Sequence, residues 1–149
     1  MNIYTYYFGG KKMDTVYRSF DGVYFDDELQ CLTYEMNLKA RNNEKENNIL
    51  FFDENGEVVK YDAKNDDFFE NVEYVYIKNQ DGISVAREIS DFFNIMLPSE
   101  TGLSFWKEGA NGPYGSYVNV ETYIQKTEKF LHVTTELKEK IRNGKIDFN

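Results

Sequence analysis

Two dipeptides limit what this chain can become. Asp21-Gly22 stands between residues 15–20 and 23–25, and Asn55-Gly56 between residues 49–52 and 57–59. All four flanking runs favour β structure. Asp-Gly and Asn-Gly are the pairs that tolerate the two left-handed positions of a tight hairpin. The chain is thereby directed toward antiparallel strands. Residues 3–8 add a Tyr-rich strand ahead of Gly9-Gly10, which permits a turn. Residues 72–77 alternate, with Val72, Tyr74 and Tyr76 on one side and Glu73, Val75 and Ile77 on the other, the pattern of an interior strand. Residues 103–106 and 116–120 read as a further pair. Gly109, Gly112, Pro113 and Gly115 between them predict a wide, mobile loop.

Three segments change period from two to about 3.6. Leu29, Leu32, Met36 and Ala40 recur at helical spacing behind Asp26-Asp27-Glu28, where Asp26 or Asp27 supplies the cap. This helix is expected to fade near residues 41–43, with residues 42–48 as loop. Val85, Ile89, Phe92 or Phe93, and Met96 form the stripe of a second helix that Pro98 stops. Tyr123, Thr127, Phe130, Thr134, Leu137 and Ile141 mark a long last helix. Thr122 with Gln125 resembles a capping box, and Asn143-Gly144 ends the helix. The stripe is heptad-like, which leaves homodimerisation through this helix open beside packing onto the sheet. The fold class expected is α+β: a mostly antiparallel sheet with three helices covering one face, in a single domain spanning residues 1–149. Aromatic residues, 17% of the chain, supply ample apolar surface for a core.

Charge is the second informative feature. The net charge is −9, and residues 42–74 hold ten Asp/Glu against three Lys/Arg. A concentrated field of one sign selects partners. No basic cluster is long enough to bind a nucleic-acid backbone, which requires Lys and Arg to displace counterions. Asp53, Glu54, Glu57, Asp62, Asp66, Asp67 and Glu70 are the candidate partner-binding residues. Carboxylates on alternate residues of a strand repeat every ~6.6 Å, near two phosphate steps of ~3.4 Å along one DNA strand. Such a row imitates phosphate and attracts a protein that normally grips nucleic acid. Its bland alternative is a solvated loop.

Other chemistry finds little support. Adjacent carboxylates such as Asp66-Asp67 rarely converge on one cation, and Asp53-Glu54-Asn55-Gly56 lacks the ligand alternation of a calcium loop. No metal site and no cofactor are expected. His132 is the sole histidine and Cys31 the sole cysteine. One of each cannot supply a usual zinc ligand set, and neither sits in a nucleophile motif. No catalytic residue is therefore assigned. The single cysteine fits a reducing compartment, and no basic leader or membrane-length apolar run is present. Trp106 and Tyr114 are either a contact surface or, for Trp106, core.

Residues 17–25 (Tyr-Arg-Ser-Phe-Asp-Gly-Val-Tyr-Phe), residues 31–35 (Cys-Leu-Thr-Tyr-Glu), residues 51–56 and residues 74–77 together resemble a pattern common in small acidic accessory proteins of phages that infect low-GC Gram-positive bacteria. That class includes anti-CRISPR and other anti-defence inhibitors. The resemblance implies a non-enzymatic phage protein in the cytoplasm of a bacterial host. Its partner would be a host nucleic-acid-binding protein, a defence nuclease such as a CRISPR effector. The alternatives are a metal-dependent enzyme acting on nucleotides or nucleic acid and a self-associating structural or regulatory phage protein.

Overall fold

The computed structural model describes residues 1–145, the side chain of Met13 aside. Its fold is α+β, with two antiparallel sheets and three helices, the last one long. The first sheet is the ribbon β1 (Asn2–Phe8), β2 (Lys11–Arg18) and β3 (Tyr24–Phe25). Gly9 and Gly10 both take positive φ, 57° and 76°, and close the β1–β2 hairpin in two residues. The Asp21-Gly22 turn departs from expectation. Five residues, 19–23, separate the paired Arg18 and Tyr24, and only Gly22 has positive φ. The reason is Ser19, a buried residue whose hydroxyl accepts from the Val23 amide (3.0 Å), giving that amide a side-chain partner and a wider loop.

The second sheet has the order β4 (Ile49–Phe52), β5 (Tyr74–Ile77), β6 (Gly102–Asn111), β7 (Tyr114–Asn119). Its two faces are both apolar. Ile49, Phe51, Val75 and Ile77 point inward and are fully buried. Leu50, Phe52, Tyr74, Tyr76, Leu103 and Phe105 are paired across the strands on the outer face and remain partly or largely accessible. Asn55-Gly56 does lie in a hairpin, between Phe52 and Val58, but Gly56 alone is left-handed (φ 80°). The Gly56 amide donates to the Asp53 carbonyl and the Asp53 amide to Glu57, a type I turn closed by a bulge.

α1 (Glu28–Lys45) and α2 (Gln80–Phe93) cover the inner face. Asp27 caps α1, accepting from Gln30 N at 2.9 Å. The helix runs on through residues expected to be loop. Its buried stripe is Cys31, Glu35, Met36, Asn37 and Ala40, whereas Leu29 is 63% exposed. The stripe is turned because two polar side chains have work inside: Glu35 accepts from Phe20 N (2.8 Å) and Asn37 from Ala63 N (2.7 Å). Buried amides need such partners. α2 ends earlier than Pro98, at Asn94, whose left-handed φ of 52° breaks the helix. Met96 therefore lies beyond α2 and is 76% exposed rather than buried.

The glycine-rich segment expected to be a wide loop is instead the tip of the β6–β7 hairpin, paired at Asn111 and Tyr114 with a bulge after Lys107. α3 (Val120–Arg142) follows directly. Its cap is Asn119, accepting from Thr122 N at 3.0 Å, rather than the Thr122–Gln125 box. Asn143 and Gly144 end it as expected. α3 starts over the outer face, where Tyr123 meets the Phe105 ring edge-on at 5.2 Å, so the helices do not all share one face. None of its residues is buried.

Candidate acidic groove

The acidic segment is held in place. Glu44 of α1 accepts from Tyr61 N at 2.8 Å, and Asn37 holds Ala63 as above. Phe51, Tyr61, Phe68, Phe69 and Phe93 then interlock with ring centroids 4.8–6.5 Å apart, mostly edge-on. Each buried aromatic contributes on the order of 2 kcal/mol. Phe68 opens a short 3-10 turn, Phe68–Asn71, that sets Glu70 on the surface. Glu73 is fixed by strand bonds on both sides: its amide donates to Phe52 O and its carbonyl accepts from Trp106 N, both 2.9 Å. Alternation puts its side chain on the same side as Val75 and Ile77, which the structure buries.

These elements bring carboxylates around two adjoining cavities. Asp53, Glu54, Glu70 and Glu73 line one of about 350 Å³. Asp66, Glu70, Glu73 and Glu108 line the other, of about 680 Å³, which lies beyond the end of α2. Glu70 and Glu73 belong to both. Among the described residues, no Lys or Arg lines either cavity. Among the described residues, none of these carboxylates forms an ion pair. The larger cavity has an apolar floor of Phe69, Phe93, Ile95, Met96, Trp106 and Tyr117. Trp106 is 36% exposed and meets Tyr117 edge-on at 5.3 Å. It lies at the edge of the core and lines the cavity. The Tyr117 hydroxyl donates to Val72 O (3.1 Å), and burial, reinforced by the Glu73 charge, pushes its pKa well above the usual phenol range.

Of the seven residues named from sequence, Asp53, Glu54, Asp66 and Glu70 meet at the groove. Glu57, Asp62 and Asp67 line neither cavity. The Asp53 carboxylate is also occupied by its own turn, accepting from Asn55 N (2.8 Å) and Glu57 N (2.9 Å). Asp62 likewise accepts from Lys64 N at 3.0 Å. Sequence reasoning missed Glu73 and Glu108 as site residues. The β5 alternation grouped Glu73 with Val75 and Ile77 but left open which side faces the core. Glu108 was hidden by the reading of its segment as loop.

Groups suited to other chemistry lie elsewhere. Cys31 is fully buried, and that burial raises its thiol pKa, which opposes thiolate chemistry. His132 is exposed on α3 and faces Glu136, one turn on, at 3.4 Å. Among the described residues, no three His, Cys, Asp or Glu come together to hold a metal ion. Among the described residues, no helix is long and apolar enough to cross a membrane. Compared with protein-family models, curated proteins and solved structures, the chain matches none.

Proposed function

We propose that this protein works by binding: its acidic groove occupies a basic nucleic-acid-binding surface on a partner protein and blocks it. The observation that carries the reading is the pair of adjoining cavities ringed by Asp53, Glu54, Asp66, Glu70, Glu73 and Glu108 without a single Lys or Arg in the lining. Unpaired carboxylates over low-dielectric aromatic walls focus a negative field and attract cations. The apolar floor gives an arriving Lys or Arg stem, or an aromatic anchor, something to bury against. The phage-like pattern of residues 17–25 and 31–35 directs the choice of partner to a host defence nuclease in the bacterial cytoplasm, a CRISPR effector being the leading case.

The test is competition on a guide-loaded CRISPR effector with labelled target duplex, followed by fluorescence anisotropy. The protein is expected to displace the duplex at near-stoichiometric amounts, less effectively as salt rises. The combined variant Asp66→Asn, Glu70→Gln, Glu73→Gln, Glu108→Gln should lose about a hundredfold in potency. Equal potency of that variant, or inhibition at far below one protein per nuclease, refutes the reading.

A further inference from the structure

A second pair of surfaces lies on the other side of the sheet and plays no part in the groove. Among the described residues, α3 packs mainly on β6 and β7, through its first turns. It contains no Gly or Pro to bend it, and at 23 residues it is ~34 Å long. Tyr123 in its first turn meets the sheet, and from Gln125 to Arg142 every residue except the half-buried Thr134 is exposed. Two apolar areas are left without full cover. One is the distal half of α3, where Phe130 is 65% exposed and Leu131, Leu137 and Ile141 are also exposed. The other is the outer face of β4 and β5, with Leu50, Phe52, Tyr74 and Tyr76 only partly covered. Beside the start of α3 a recess of about 440 Å³ opens, with Leu103 and Ile124 in its lining.

We propose that a second copy of this chain covers both areas, the distal α3 of each copy lying across the outer β4–β5 face of the other. Two observations favour this occupant. The areas are apolar and separate on one chain, and a two-fold pairing buries both at once in a closed, self-complementary interface. The exposed apolar side chains of α3 alone amount to roughly 600 Å², at the upper limit for a monomer's largest patch. With the sheet face added, the contact reaches the ~800 Å² per partner of a standard stable interface. The pairing leaves the acidic groove, on the inner side, free on each copy.

Light scattering and sedimentation of the full chain from 1 to 100 μM, a range chosen around the ~1 μM affinity that such an interface commonly reaches, are expected to show a mass that rises toward twice the 17.6 kDa chain mass. Phe130→Glu on the helix and Tyr76→Glu on the sheet should each raise the dimer dissociation constant by about a hundredfold or more with unchanged far-ultraviolet circular dichroism. The unmodified chain gives a check free of folding effects: amide exchange across residues 130–141 should slow as concentration rises. A monomer throughout, exchange independent of concentration, or a folded Tyr76→Glu variant that still dimerises overturns the proposal. Flotation of monomeric protein with phosphatidylglycerol vesicles, which would make α3 a membrane-surface helix, overturns it as well.

Discussion

Gly115 offers the sharpest check on the groove's floor. Its Cα lies against the face of Trp106: a Cβ built there would sit 2.5 Å from Cε2 and 2.8 Å from Nε1 of the indole. Carbon contacts settle at ~3.5–4.0 Å, so Gly115→Ala must push the ring away by about 1 Å or more. The ring has room to go, being 36% exposed already. Gly115 is not among the glycines with positive φ, so the alanine adds no backbone strain. Swinging the ring outward uncovers roughly 60 Å² of apolar surface, which costs ~1.5 kcal/mol. It also breaks the Trp106–Tyr117 edge contact, worth ~0.5–1 kcal/mol. Lower entropy of the unfolded chain returns ~0.5 kcal/mol. The net loss is about 1.5–2 kcal/mol, or ~5 °C in Tm for a domain of this size. Trp106 is the sole tryptophan, so intrinsic fluorescence reports on this ring alone. Gly115→Ala should shift its emission to the red and make it more accessible to iodide. Unchanged emission together with unchanged Tm would show that the indole does not rest on Gly115, and the described floor would be wrong.

Two further predictions concern the frame that carries the groove. A Cβ on Gly82 would collide with the Asn48 carbonyl oxygen and lie 3.0 Å from Ile77 Cγ2, so Gly82→Ala should destabilise by ~1–3 kcal/mol in urea titration despite alanine's better helix propensity; a stabilised variant would show that α2 does not approach Asn48 so closely. Burial raises the Glu44 carboxyl above its ordinary 4.5, against the weaker opposing pull of the Tyr61 amide. The folded state thus holds the proton to higher pH than the unfolded chain does, so the stability this residue contributes falls as pH rises through the window above 4.5. Glu44→Gln keeps an acceptor for Tyr61 N and removes the titration, so its stability relative to the parent should grow from pH 4 to pH 7 in urea midpoints; a constant difference would contradict the burial of Glu44.

Much of this architecture was legible because period and turn residues act locally. The β5 alternation placed Glu73, Val75 and Ile77 on one side, and the last helix and its Asn143-Gly144 end follow from spacing alone. What failed was set by distant partners. Leu29 and Leu32 fit a helical stripe as well as Cys31 and Met36 do, and only the amides of Phe20 and Ala63, which need Glu35 and Asn37, decide which face turns inward. Asn94 can adopt the left-handed conformation, so α2 stops before the proline that reads as its terminator. Glycines at 109, 112 and 115 read as slack, yet they serve a bulge, a turn and the seat of Trp106. The acidic segment was recognisable by count. That four of its seven candidates join Glu73 and Glu108 at one groove depends on Phe68 anchoring the segment in the core, a contact invisible to composition.

The central claim is that position, not bulk charge, makes the groove a cation-accepting surface. Isothermal titration with a hexa-arginine peptide compares the parent with two variants that each lose four negative charges. One neutralises Asp66, Glu70, Glu73 and Glu108; the other neutralises Asp26, Asp91, Glu100 and Glu128, all exposed and outside both cavities. The groove variant should lose about tenfold or more in affinity and most of the salt dependence, while the second variant stays within about twofold of the parent. Equal losses in the two variants would contradict the account.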